Sequence, residues 1–432
     1  MTSKNDDYKE AYVWIWLPGE TKPVVAGILQ RVGTRLLFNY GRSYLARENA
    51  ISIYEPELPL QAGEIQLAED LSMPGSIRDA SPDAWGRRVL INRKLNVKDE
   101  ESGSHDLGEL TYLLESGSDR AGALDFQTSA SKYVPRGMDH ASLDDLLRSA
   151  EQVEKGVSLS PELDKALQHG TSLGGARPKA HLTSDDKKFI AKFSMSTDIY
   201  NVVKAEYVAM RLASLAKLNV STVRMEKALG KDVLLVERFD REPAKGGWAR
   251  KAFVSALTIF EFDEMMARHA SYETLAEIIR LRFQDARGDL RELFGRLTFN
   301  ILCGNTDDHA RNHAAFWDGK NLRLTPAYDV CPQSRPGEQA GQAMRIVGTA
   351  NRSQLALCLE GAPRFLLSDQ EARAIILQQV NVIRTHWDDV CDEAALSPVD
   401  RAYLWGRQFL NPFAFYDAPE VIRAAGQSSQ SR

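Results

Sequence analysis

One stretch, residues 300–329, restricts this chain more than any other: N-I-L-C-G-N-T-D-D-H-A-R-N-H-A-A-F-W-D-G-K-N-L-R-L-T-P-A-Y-D. An amphipathic run over residues 290–302 leads into it and stops at Gly304. Glycine ends helices because it takes up left-handed backbone without strain. A polar loop follows, with Asp307 and, five positions later, Asn312. Two short apolar runs, Ala314–Trp317 and Leu322–Leu324, flank Asp318-Gly319-Lys320-Asn321, which has the composition of a hairpin turn. Asp329 comes soon after. A helix, a loop and a small hairpin thus present a carboxylate, a carboxamide and a second carboxylate.

Protein kinases use that layout. The first Asp accepts or orients the proton of the nucleophile, while the Asn and the later Asp hold Mg²⁺ on the phosphates. Mg²⁺ is a hard cation that takes a few oxygen ligands plus phosphate oxygens. A carboxylate free of metal must lie beside it to receive the hydroxyl proton. Loops collect Asp and Asn for a plainer reason, because both make turns. The rest of the chain has to decide between the two readings.

With 432 residues the chain is long enough for two or more domains. Its 26% charged and 43% hydrophobic residues are ordinary for a globular protein, and a net charge of −5 argues against a free-standing nucleic-acid binder. Cys303, Cys331, Cys358 and Cys391 are widely spaced and form no C-x-x-C pair, so neither a disulfide framework nor a zinc site is indicated. The polar N-terminus has no signal-peptide core, and no apolar run reaches membrane-spanning length. The simplest expectation is a reduced cytoplasm and no membrane partner.

Read in order, residues 1–10 form a loose tail. Short β runs follow at 12–17, 24–29, 36–40 and 51–53, punctuated by Gly19, Gly33 and Gly41. Residues 81–95 read as a helix capped by Ser81 with Pro82 at its first position. Further helices are predicted at 107–115, 143–153 and 161–168, and a returning strand at 121–126. After a glycine-rich loop come β runs at 180–183 and 189–193, a helix from 199 to about 218, and a buried strand at 233–236. The region beyond Pro243 is read as helical up to the Asp307 loop, with helices at 260–267, 272–283 and 290–302, and again at 369–386 and 398–409. Residues 332–342 read as a mobile loop and the tail 425–432 as disordered.

The expected fold is α+β, a protein-kinase-like two-lobed arrangement. Residues 1–130 form an extra small N-terminal β subdomain. Residues 131–240 form a β-rich N-lobe-like region with the glycine-rich loop, and residues 241–432 form an all-helical C-lobe with the catalytic loop and the Mg²⁺ site. A nucleotide sits between the lobes in such an arrangement.

Four further groups carry chemistry. The loop G-T-S-L-G-G-A-R-P-K contains Ser172, Gly174, Gly175, Arg177 and Lys179. Glycines let backbone N–H groups approach phosphate, and the cations add charge, but the sequence is neither a Walker A motif nor a G-x-G-x-x-G loop. A phosphoryl group on Ser172 would place negative charge beside the nucleotide's own. Lys192, on an apolar strand, needs a partner, and Glu206 on the next helix is the candidate; kinases use such a pair to grip phosphates. Glu237, Arg238, Phe239 and Asp240 cross the junction between the halves, either as an adenine-contacting segment or as a salt-bridged linker. His309 supports the loop, and Arg311 either neutralises phosphate or pairs with Asp308. His309 and His313 lack a third ligand for a transition metal.

Taken together, G-T-S-L-G-G-A-R-P-K, F-I-A-K-F, L-V-E-R-F-D-R, N-T-D-D-H-A-R-N and T-P-A-Y-D resemble the HipA family over nearly the whole chain, and A-G-A-L-D-F is similar to that family's N-terminal portion. The resemblance implies a serine/threonine kinase acting as the toxin of a type II toxin–antitoxin module. It implies ATP and Mg²⁺ as cofactors, Asp307 as catalytic base, and Asn312 and Asp329 as Mg²⁺ ligands. The ATP site would comprise Ser172, Gly174, Gly175, Lys179, Lys192, Glu206, Glu237, Phe239, His309, Asn312 and Asp329. Ser172 would be the autophosphorylated loop serine. A HipB-like helix-turn-helix antitoxin is the implied partner, with operator DNA reached only through it, and an aminoacyl-tRNA synthetase exemplifies the implied protein substrate. Arg177-Pro178 stands where a Gln-Glu pair is usual. Two other functions remain open from sequence: a small-molecule phosphotransferase, and a non-catalytic module that binds an antitoxin through residues 11–60.

Overall fold

The structure is a computed structural model and describes residues 8–95, 107–137, 141–157, 159–160, 163, 172, 175–335 and 337–427. The first β runs form an antiparallel sheet ordered β3-β2-β1-β4, with β1 Glu10–Ile15, β2 Val24–Val32, β3 Arg35–Tyr40 and β4 Leu124–Gln127. The β2–β3 turn has two residues, and Gly33 meets its backbone demand at φ 61°. Alternate side chains such as Val13, Ile15, Leu29, Phe38 and Phe126 make this sheet's own core. Residues 51–53 are not a strand: Ile53 N–H instead donates to the Tyr40 hydroxyl at 2.8 Å.

A second antiparallel sheet is ordered β5-β6-β8-β7, with β5 Lys179–Ser184, β6 Lys187–Phe193, β7 Val223–Ala228 and β8 Lys231–Glu237. Asp185 and Asp186, at φ 52° and 54°, turn β5 into β6. Strand β7 has the charged sequence VRMEKA and lies at the sheet edge, which is why it carried no β signal. Helices α1 (Ala84–Leu95) and α2 (Leu143–Glu154) cover one face. Helix α3 (Val202–Leu215) covers the other and joins the sheet to the C-terminal core. Strand β8 shows the period of two directly: Val233 and Leu235 enter the first of these cores, Leu234 and Val236 the second. Helix α1 starts at Ala84, and Asp83 rather than Ser81 stands before it: its carbonyl accepts the Arg87 N–H and its Oδ1 the Ala84 N–H, both at 2.9 Å.

The C-terminal region is built on α4 (Tyr272–Arg282), α5 (Ala286–Cys303) and α6 (Asp369–Glu393). It is not all helical. A hairpin, β9 Arg241–Ala244 with β10 Gly247–Arg250, opens it, and β11 Ala252–Ser255 pairs with β12 Ala314–Trp317, which pairs with β13 Leu322–Leu324. The helix expected at 260–267 does not form; Ala256–Ile259 and a 3-10 turn at Met266–His269 stand in its place. The helix expected at 398–409 ends at Leu404. Ala425, Gly426 and Gln427 belong to the helix Glu420–Gln427, not to a disordered tail. The helix expected at 161–168 and the tails at 1–7 and 428–432 lie outside the described residues, apart from Leu163.

Helix α5 ends as its sequence requires. Gly304 takes φ 74°, and a Cβ there would meet the Gln408 carbonyl oxygen at 2.7 Å. All four cysteines are buried and free. Among the described residues, no helix is long and apolar enough to cross a membrane.

Candidate active site

Between the β5–β8 sheet and the helical region lies a cleft enclosing about 1210 Å³, counting space open to solvent. Its lining includes Ser172, Gly175, Lys179, Lys192, Glu237, Phe239, His309, Asn312 and Asp329. Two short contacts set the spacing of its walls. Ser221 N–H donates to the Ala327 carbonyl at 2.9 Å, and Ala327 N–H to the Asn219 carbonyl at 2.8 Å. Asp329 follows two residues later.

Lys192 is the centre of the charge arrangement. Strand β6 aims it away from the outer core and toward α3, where Glu206 is 2% exposed. The ammonium lies 2.5 Å from Glu206 Oε1 and 2.5 Å from Asp329 Oδ1. Burial disfavours the charge on Lys192, but Asp329 and Glu206 outweigh it and raise the pKa. Lys192 in turn holds the Asp329 carboxyl far below the usual range. Burial pushes Glu206 the other way, upward. Lys179, also buried in the cleft, is brought down to about 8, first by burial and then by Lys192.

The loop from Asn305 to His313 is held from both sides. Asp308 is buried, accepts from the Tyr272 hydroxyl, and lies 2.9 Å from His313 Nε2. His309 N–H and Asn312 Nδ2 both donate to the Asp307 carbonyl, at 2.9 and 3.1 Å. The Asp307 side chain is exposed and is not part of the cleft lining, whereas Asn312 and Asp329 are. Burial of its surroundings and the nearby Asp329 raise the Asp307 pKa, while His309 lowers it. Asp329 sits at φ 59°, an uncommon conformation for a side chain of this type, and Asn305 Nδ2 donates to its carbonyl at 3.4 Å.

With its Nδ2 engaged, Asn312 has Oδ1 left as an acceptor, and Lys192 occupies only Oδ1 of Asp329. Two oxygens of the type Mg²⁺ prefers therefore remain without a donor among the described residues. No group of three His, Cys, Asp or Glu side chains suited to a metal occurs among those residues. A cation here would draw its other ligands from phosphate and water, as Mg²⁺ commonly does.

Other expected residues take less direct places. Glu206 stands behind Lys192 rather than in the cleft lining. The Gly175 N–H is taken by Asp83 Oδ2 at 2.9 Å, so Gly175 offers the cleft room rather than a donor. Gly174 lies outside the described residues. Arg177 is tied to Asp198 through two bonds of 2.8 and 3.0 Å. Arg311 pairs with Glu264 at 2.9 Å and faces Asp83 at 3.6 Å, not Asp308. Glu237 pairs with Lys187 at 2.8 Å at the cleft edge. Phe239 packs on Phe253, Phe316 and Tyr328 with ring centroids 5.4–5.6 Å apart, an apolar wall at the junction.

The sequence offers a salt-bridged linker as one reading of residues 237–240, but does not reveal that Arg238 and Asp240 join Asp119 in a buried polar network behind this wall. Arg238 bridges Asp119 Oδ1 and Asp240 Oδ2, both at 2.8 Å, and Arg241 joins the same two carboxylates at 2.9 and 2.7 Å. Ser172 is 2% exposed; its hydroxyl donates to the Asp119 carbonyl at 3.0 Å and lies 3.4 Å from His181 Nε2. Asp119 carries no local signal, because its arginine partners, Arg238 and Arg241, are more than a hundred positions away.

This network predicts an acid limb of stability. Burial opposes ionisation of Asp240, but Arg238 and Arg241 prevail and hold it at about 2; Asp119 is likewise depressed. Their contribution is complete above the unfolded aspartate value near 4 and is lost as pH falls from about 4 toward 2. Asp240 alone supplies about 2 kcal/mol of this pH dependence. Urea midpoints between pH 5 and pH 3 are expected to fall, and Asp240→Asn to flatten that fall. A mutant slope equal to wild type would count against this assignment.

Two family models match the chain: the HipA-like C-terminal domain at residues 171–387 and the HipA N-terminal domain at residues 15–127. The chain belongs to the HipA family. Among relatives of this HipA-family chain, Y4mE of Sinorhizobium fredii, which carries the designation kinase, is 26% identical over 333 residues, 72% of this chain and 75% of that one. The serine/threonine-protein kinase toxin HipA of Shewanella oneidensis is 25% identical over 183 residues, 37% of this chain and 42% of the toxin. A solved complex of Shewanella oneidensis HipA with HipB and its operator DNA shares the fold: TM-score 0.66, 18% identity, 95% of this chain and 99% of that one. The α+β kinase-like architecture of the HipA family is thus the architecture of this chain.

Proposed function

We propose that this chain is an ATP-dependent serine/threonine protein kinase acting as a HipA-type toxin. The observation that carries the reading is Lys192, held between Glu206 and Asp329 at 2.5 Å each, in a cleft that Asn312 also lines. In this reading Lys192 and Lys179 take the phosphates, and Phe239 with the backbone around Glu237 takes the adenine. Asn312 and Asp329 hold Mg²⁺, which when bound neutralises charge developing on the phosphates. Asp307, outside the metal set and exposed to an incoming chain, accepts the proton of the substrate hydroxyl. The transfer breaks the bond from the γ-phosphorus to the bridging oxygen, forms a phosphoester, and leaves ADP.

Ser172 is the proposed autophosphorylation site. Its hydroxyl is buried against Asp119, so a phosphoryl group, with close to two negative charges, does not fit where the hydroxyl now sits. Modification would therefore displace the loop from the cleft and switch the kinase off. A HipB-like antitoxin is the proposed partner, operator DNA is reached through it, and a translation component such as an aminoacyl-tRNA synthetase is the proposed substrate. The proposed division of the chain is an N-terminal subdomain over 1–130, an N-lobe-like region over 131–240, and a C-lobe over 241–432.

The test is transfer of labelled γ-phosphate from ATP by purified protein, with and without a bacterial lysate. Incorporation into protein, including the Ser172 peptide, and its loss on removing Mg²⁺ with a chelator are expected. At matched expression, Ser172→Ala is expected to be more toxic than wild type. Label confined to metabolites would replace the protein-kinase reading with a small-molecule phosphotransferase, and failure to bind Mg-ATP in calorimetry would favour the non-catalytic module.

A further inference from the structure

Gly175 and Lys179 of the glycine-rich loop are fastened from the N-terminal part of the chain. Asp83 Oδ2 accepts the Gly175 N–H at 2.9 Å, and the Trp85 N–H donates to the Gly175 carbonyl at 3.0 Å. The Trp85 indole N–H donates to the Lys179 carbonyl at 3.0 Å. Asp83 and Trp85 both fall within the region matched by the N-terminal domain model. Neither belongs to the sheet that bears Lys192.

Asp83 does more than open α1. At the helix start one oxygen, Oδ1, accepts the Ala84 N–H, and serine or threonine is also favoured at that position. The other oxygen bonds Gly175 and also faces Arg311 Nη1 at 3.6 Å. Arg311 is one residue from Asn312, and its carbonyl accepts from the Tyr328 hydroxyl at 2.7 Å, next to Asp329. A single carboxylate oxygen therefore meets both the phosphate-side loop and the loop that carries Asp307 and Asn312.

Gly175 needs an external hold. It sits at φ 90°, where glycine is unconstrained and no side chain locks the backbone, and a Cβ there would fall 2.3 Å from Lys179 Nζ. The groups that set its position are Asp83 and Trp85, and Trp85 is itself 1% exposed.

Resting on the kinase reading above, we propose that Asp83 is a positioning residue for phosphoryl transfer: it latches Gly175, and with it Lys179, against Arg311 before nucleotide arrives. A preset loop spares the nucleotide the entropy of ordering it, so loss of the latch appears chiefly in KM for ATP. Asp83 is also held ionised: burial opposes its charge, but Arg311 and the Gly175 N–H lower its pKa.

The test compares Asp83→Ser and Asp83→Asn with wild type in the full-length chain. Serine keeps a helix-start acceptor but is too short to reach Gly175 and leaves Arg311 to Glu264 alone. Asparagine removes the charge and keeps one acceptor oxygen in place of two, so it can hold Gly175 only by giving up the Ala84 N–H. Without nucleotide, hydrogen exchange in peptides spanning residues 175–179 is expected to quicken about tenfold in the serine variant, the effect of one charged hydrogen bond. KM for Mg-ATP is expected to rise about tenfold with kcat within about threefold, and the asparagine variant to lie between. Wild-type exchange in the serine variant overturns the latch, as does an unchanged KM beside faster exchange. If wild-type protein transfers no phosphate, the kinase reading fails while the exchange measurement still decides the latch. An active wild type with a silent serine variant removes the latch and leaves the kinase reading intact.

Discussion

Asp307→Asn is expected to lower kcat for phosphoryl transfer by about 10³-fold, within the usual range for removing a general base. Asparagine keeps the size of the side chain and cannot take up the proton of the attacking hydroxyl. The fold should not register the change. The Asp307 side chain is exposed, and the loop is held through its backbone carbonyl, which the substitution preserves. Unfolding free energy is expected within about 0.5 kcal/mol of wild type, and Mg-ATP affinity within a few fold. Single-turnover transfer with labelled ATP measures the first, urea unfolding the second and calorimetry the third. A kcat within tenfold of wild type would move the base elsewhere, and a large loss of stability would mean that the substitution reports on folding.

The second large effect is expected at Lys192. Lys192→Met removes the cation from between two carboxylates, one of which, Glu206, is buried beneath it. Stripping one member from a buried ion pair costs about 3 kcal/mol, because the remaining charge has neither water nor partner. Asp329 contributes less, since its side chain is 43% exposed at the cleft wall. Transfer activity is expected to fall at least about 10²-fold, as the phosphates lose their buried cation. The double substitution Lys192→Met with Glu206→Gln separates the two losses: stability should largely return, because the buried carboxylate stripped of its partner is gone, while activity should not. If urea unfolding shows the double variant as unstable as the single one, the cost lies in packing and not in charge.

Parts of the molecule were legible in the sequence because their determinants are local. Gly304 ends α5 through a backbone preference that one residue carries alone. The hairpin of β12 and β13 follows from apolar runs on either side of a turn composition. Strand β6 and helix α3 follow from periodicities of two and about three and a half. The order strand, lysine, helix, glutamate was enough to expect the pairing of Lys192 with Glu206, whose atoms lie 2.5 Å apart.

Other parts depended on neighbours that only folding supplies. Strand β7 is half charged, and strands β9 to β11 are short, so their β character comes from the strands they pair with. Residues 260–267 have enough apolar character for a helix, yet a 3-10 turn and loops occupy that stretch. Asp83 does not stand out in the sequence, where Ser81 and Pro82 read as the helix start, because its second oxygen is used on Gly175, 92 positions away.

By itself the sequence determined where the charged and amide groups at Lys192, Glu206, Asp307, Asn312 and Asp329 stand along the chain, and which kinds of element carry them. Their meeting was decided in three dimensions. A buried ammonium must find its counter-charges, and the carboxylates that answer Lys192 come from a helix 14 residues away and a loop 137 residues away. Spacing along a chain records local backbone geometry and holds no record of which distant segments will share a low-dielectric cleft.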